Sequence, residues 1–138
     1  MAESNQRAND YIEDVVRAFY DKATKDFLIG YQFRKIALAE GDVHPLQPPL
    51  DAFAHHLPRI NDFWKNQLLG TPLPDKSDPF SLISIHKKLR VRKGEVNRWV
   101  LLFNETLNEQ PEHALTEVWR EKVKHFQEIF LRNKILFP

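Results

Sequence analysis

The sequence predicts an all-α protein built as one domain over residues 1–138. Three observations carry this expectation. Apolar residues recur at spacings of three and four in several stretches, no stretch of useful length alternates with the period of a strand, and proline or glycine falls between the stripes. No internal repeat or low-complexity tract divides the chain, and 138 residues suit a single core.

Residues 1–9 form a polar lead, expected to be flexible. Asn9 or Asp10 can then cap a helix whose inward positions are Ile12, Val15, Val16, Phe19, Tyr20 and Ala23. Tyr20 thus points inward, where its hydroxyl serves either as a core group bonded to a carbonyl or as a donor facing a ligand pocket. Gly30 permits a tight turn or a close approach, and Phe33 falls near the start of a second short helix. The segment from Gly41 to Pro49 holds three prolines and reads as a loop.

A third stripe comprises Phe53, Ile60, Phe63, Trp64 and Leu68, with His56 four residues before Ile60 and His55 on the polar face. Pro58 in a helix interior would cost about 3 kcal/mol, so the regular helix is expected to open at Pro58 or to kink there. The inward placement of His56 depends on which. Gly70 closes this helix, and an extended loop leads to a short helix opened by Asp78 and Pro79, in which Leu82, Ile83 and Leu89 surround His86. Gly94 is expected to separate that helix from one carrying Val96, Trp99, Val100, Phe103 and Leu107. The last helix is expected to start at Pro111 with Trp119, Val123, Phe126 and Phe130 inward, and the apolar tail at 135–138 to pack back on the domain.

Composition removes several chemistries. The chain has no cysteine, which excludes disulfides, thiolate metal sites, cysteine nucleophiles, iron–sulfur clusters and thioether-attached haem. Four glycines are too few for a phosphate-cradling loop, no histidine follows a glutamate by three residues, no HExxH motif is present, and Ser81 or Ser84 near His86 is too thin a basis for a hydrolase. The polar N-terminus and the lack of a run of eighteen apolar residues argue against a signal peptide or membrane span and point to the cytoplasm. A net charge of +1 implies no particular partner.

His86 then stands out as a candidate haem iron ligand, because apolar neighbours keep an imidazole neutral and dry. The same surroundings suit an ordinary core histidine. The basic run Lys87, Lys88, Arg90, Arg92, Lys93 and Arg98, set against Glu95 alone, has three readings. It is a solvated surface, a contact for nucleic-acid phosphates, or a set of partners for haem propionates. Nucleic acid fares worse, since no second basic face matches it.

The runs AFYDKATKD, IGYQF, HLPRINDFWKNQLLG and LLFNETL, with His86 and Trp99 between the last two, resemble the truncated haemoglobins, specifically their group III subfamily. Phe19-Tyr20, Gly30 with Phe33, His56 with Phe63-Trp64, and His86 with Trp99 and Leu102-Phe103 follow the family's order from about Ile12 to Phe130. Ile29 replaces the usual leucine before the glycine, and Pro58 stands two residues after His56.

The resemblance implies a two-over-two helical sandwich around non-covalent haem b, with His86 as the proximal iron ligand. It places Tyr20, His56, Ile60 and Trp99 in a distal ligand pocket, and Phe19, Phe33, Phe53, Leu82, Leu89 and Phe103 against the haem. It further implies binding of dioxygen, nitric oxide and other small ligands, nitric oxide dioxygenase or peroxidase-like chemistry, and a reductase as electron donor, with no nucleic-acid or membrane partner. Donors from Tyr20, Trp99 and His56 would each hold a polarised ligand by about 1–3 kcal/mol. The alternative is a haem-free helical module that binds a protein or nucleic acid through residues 87–98.

Overall fold

The computed structural model describes residues 2–39, 56–73, 83 and 86–138. Expectations resting on Phe53, His55, Leu82, the 41–49 loop and the Asp78–Pro79 helix opening lie outside the described residues. Within them the chain is all-helical, with no strand.

Helix α1 spans Ala2–Ala23, starting well before the expected cap at Asn9 or Asp10. The polar lead is therefore part of the helix. Its Gln6 side chain donates to Asp10 one turn on, at 2.8 Å, and Ala8 and Tyr11 add a buried turn ahead of Ile12. Tyr11 also ends in a 2.7 Å hydrogen bond with the Thr116 hydroxyl and stacks on His113, with ring centroids 4.4 Å apart. Ile12, Val15, Val16, Phe19 and Ala23 are wholly buried, as their spacing predicts.

The α1 helix ends at Thr24, whose hydroxyl donates to the Tyr20 carbonyl at 2.6 Å. Asp26 then turns the chain by accepting the backbone N–H groups of Leu28 and Ile29. Helix α2, Gly30–Ala39, follows at once. A methyl group on Gly30 would lie 2.9 Å from the Thr24 carbonyl oxygen, a backbone atom with little room to yield. Gly30→Ala should therefore lower the unfolding free energy by about 1–3 kcal/mol, measured by urea denaturation. An unchanged midpoint would show that the turn relaxes freely.

Helix α3, Leu57–Leu69, opens with Pro58 in its first turn, where a missing N–H costs nothing. His56 is its N-cap. Gly70, at φ 71°, ends it in the left-handed conformation, and its N–H reaches the Asn66 carbonyl at 3.0 Å. After the short helical turn at 86–88, Arg90 also adopts a left-handed conformation, φ 56°.

Helix α4, Lys93–Glu109, contains Gly94 in its first turn, so that glycine is not the expected separator. Glu95 explains the start: its carboxylate accepts the backbone N–H of Arg92 at 2.8 Å, tying the third helical residue to the cap position. Helix α5, Thr116–Arg132, begins five residues later than the expected Pro111. The Thr116 hydroxyl takes the N–H of His113, and the His113 ring takes that of Leu115, so the preceding backbone is held in a turn. In the tail, Leu136 is buried and Phe137 lies under the Lys93 ammonium at 5.5 Å, while Ile135 is exposed.

Helix α1 packs on α3 and on α4, α4 runs along α5, and α3 touches α5. Trp119, Phe103 and Phe19 are the largest side chains at the centre of this arrangement. Among the described residues no helix is long and apolar enough to cross a membrane.

Candidate functional site

The site grows from the Phe19 ring, buried on α1. Tyr20 meets it edge-on at 4.8 Å, Trp99 edge-on at 5.9 Å, and Phe103 lies tilted at 4.6 Å. Phe33 of α2 adds to the group through Tyr20, at 5.7 Å. Three residues from α1 and α4 thus gather around the Phe19 ring, and α2 joins them through Phe33 on Tyr20.

Only Phe19 and Phe103 of this group are fully covered. Tyr20, Phe33, Ile60, Phe63, Trp99 and Phe126 pack against the core yet stay partly exposed. Burial of its hydroxyl pushes Tyr20 well above the ordinary tyrosine range, so it stays a protonated donor across the physiological range.

His86 stands at another part of this framework. Its ring meets Phe130 edge-on at 4.9 Å, and Phe126, one turn earlier on α5, contacts Phe63 at 5.6 Å and Trp64 at 5.9 Å. One stripe of α5 therefore reaches both His86 and the aromatic residues of α3. The half-buried Leu89 is joined to α2 through its carbonyl, which accepts from the Lys35 ammonium at 3.0 Å. His56, at the cap of α3, is half-buried one turn before Ile60.

Two polar ties hold these parts in register, and neither was expected. The buried Glu95 carboxylate accepts from the Gln32 amide at 3.3 and 3.2 Å, fastening α4 to α2. Tyr31 also bonds Glu95, and that bond, with burial and the carboxylate charge, raises its hydroxyl above the usual value. The second tie is a fork: Arg98 donates from Nε to Asp26 at 3.1 and 3.2 Å and from Nη2 at 2.7 Å. Arg98 therefore leaves the basic run and fixes the helix position next to Trp99.

Burial alone would raise the Asp26 carboxyl, but the Arg98 guanidinium and the N–H groups of Leu28 and Ile29 outweigh it and hold it below the ordinary value. A lowered folded value contributes stability above the unfolded carboxyl's range, and that contribution disappears as pH falls through the folded value. Thermal midpoints of the native protein should thus drop more steeply on acidification below about pH 4 than those of Asp26→Asn. Parallel curves for the two proteins would remove Asp26 from the acid response.

The signal for Glu95 is present in the sequence, as an acid three residues after a cap position. The Asp26–Arg98 pair leaves no local signal. Among the described residues no cluster of three or more histidine, aspartate or glutamate side chains is placed to hold a bare metal ion. Comparison with protein-family models, curated proteins and solved structures returns no match.

Proposed function

We propose that this chain is a haem b-binding protein of the truncated-globin type that takes dioxygen, nitric oxide or another small diatomic ligand. The observation that carries the reading is the set of half-buried rings in which Tyr20 and Trp99 meet Phe19 and Phe33 meets Tyr20. A flat apolar group large enough to cover several half-buried rings fits such a set, and a solvated surface does not need one. The pairing of α1 with α3 and of α4 with α5, with α1 also on α4, supports a two-over-two arrangement.

When bound, haem would supply an iron able to take a small diatomic molecule. His86 would hold the iron, Phe33, Phe19, Phe103 and Leu89 would pack on the ring, and Ile60 would border the pocket. Tyr20 and Trp99 would donate hydrogen bonds to a polarised ligand, with His56 as a further donor at the start of α3. Nitric oxide dioxygenase or peroxidase-like activity, a cytoplasmic location and an electron-donating protein belong to the same reading.

The first test is an absorption spectrum of the purified protein, which should be red with a strong Soret band. A colourless preparation that takes up no added haemin would sink the reading and leave the haem-free helical module. Within a red protein, Tyr20→Phe and Trp99→Phe should each raise the dioxygen dissociation rate about three- to a hundredfold, the range of one lost hydrogen bond. Stopped-flow rates equal to those of the native protein in both variants would mean that neither side chain reaches the ligand.

A further inference from the structure

A group of cations surrounds the turn that carries His86. Lys87, Lys88, Arg90, Arg92 and Lys93 are all exposed, and Lys35, also exposed, joins them through its bond to the Leu89 carbonyl. None of the six takes part in an ion pair among the described residues, whereas Lys22, Lys25, Lys65, Arg98 and Arg120 each face an acid. The one acid in the segment, Glu95, is buried and already accepts from Gln32 and the Arg92 backbone.

We propose that this patch is the docking face for an acidic protein, and specifically for an acidic single-electron carrier. The first part rests on charge placement alone; the choice of an electron carrier rests on the haem reading, because the patch frames the turn whose histidine would hold the iron. A compact acidic face matches a compact basic patch and is steered to it by the opposite charge, which raises the association rate at low salt. A nucleic-acid strand fits less well. Its charge runs on past so short a segment. Lysines outside any ion pair also suit transient contact, since docking has no salt bridge to break.

The experiment uses the full chain and two acidic probes, a fluorescently labelled flavodoxin and a labelled plant-type two-iron ferredoxin, with binding read by anisotropy. Association with at least one probe should weaken about tenfold or more between low and physiological salt. The combined variant Lys87→Glu, Lys88→Glu, Arg90→Glu should weaken it about tenfold or more at low salt, and Arg17→Glu with Lys124→Glu, which reverses exposed charges elsewhere, should leave it unchanged. Circular dichroism shows that each variant keeps its helix content. Equal affinity in the patch variant and the native chain, or no binding of either probe to a red protein, overturns the docking face. So does tighter binding of labelled RNA or DNA that the same three substitutions abolish, which makes the patch a nucleic-acid surface. A colourless protein that still binds through these three residues keeps the docking face and removes the haem reading, so the two failures are distinct.

Discussion

His86→Gly loses most of its haem on purification, and added imidazole restores both the colour and an iron–imidazole spectrum. That is the expected result if the His86 ring is the protein's link to iron, because the glycine leaves a space the free ligand can enter. The ring is only half-buried and contacts Phe130 from the edge, so its removal should leave the α4–α5 packing in place. Loss of haem can then be read apart from loss of fold, by measuring the Soret absorbance against the helix signal. Normal haem content with an unchanged ferrous spectrum would take the iron away from His86.

Phe19→Ala has the largest expected effect on stability. The side chain is wholly buried and stands between Tyr20, Trp99 and Phe103, so truncation removes a ring's worth of contacts and leaves a cavity that three rigid aromatic neighbours cannot fill. A cost of about 3–5 kcal/mol is expected from urea denaturation. The thermal midpoint should fall by on the order of 10 °C or more. A loss under about 1 kcal/mol would mean that the cluster collapses around the gap, and that its arrangement is not what positions Tyr20 and Trp99.

The inward stripes were legible because helical spacing alone decides which residues face a core. Ile12 through Ala23 and Trp119 through Phe126 needed no knowledge of their partners. Helix starts were harder, since three of them depend on side chains reaching backbone N–H groups. Gly94 shows the limit: as an exposed first-turn residue it loses no intrahelical bond, so a residue that ends helices elsewhere sits harmlessly at the start of one. Pro58, by contrast, announced the start of α3 correctly because its missing N–H permits few other places.

Within the candidate site, Tyr20 and Trp99 could be placed on inward faces from spacing, and the structure brings both to the Phe19 ring, while Phe33, readable only as lying near the start of its helix, meets Tyr20. What holds their helices in register could not be read. Asp26 and Arg98 lie 72 residues apart, and Gln32 and Glu95 lie 63 apart, so their pairing is a product of the fold and not of any local pattern. Arg98 illustrates the consequence. By composition it belongs with Lys93 in a basic run, and by geometry it belongs to a carboxylate on another helix turn.

The Tyr11–Thr116 hydrogen bond spans 105 residues, and the helix that carries Tyr11 is synthesised well before α4 and α5. During translation α1 can meet α3 first, while its partner α4 does not yet exist. The hairpin of α4 and α5, joined by a short connection, can close as soon as it is made, whereas the docking of α1 on that hairpin meets the loop-closure cost of a long return. The latch of Tyr11 on His113 and Thr116 sits at the very turn that joins those later helices, so a helix made early gains one of its polar ties only at a junction made late.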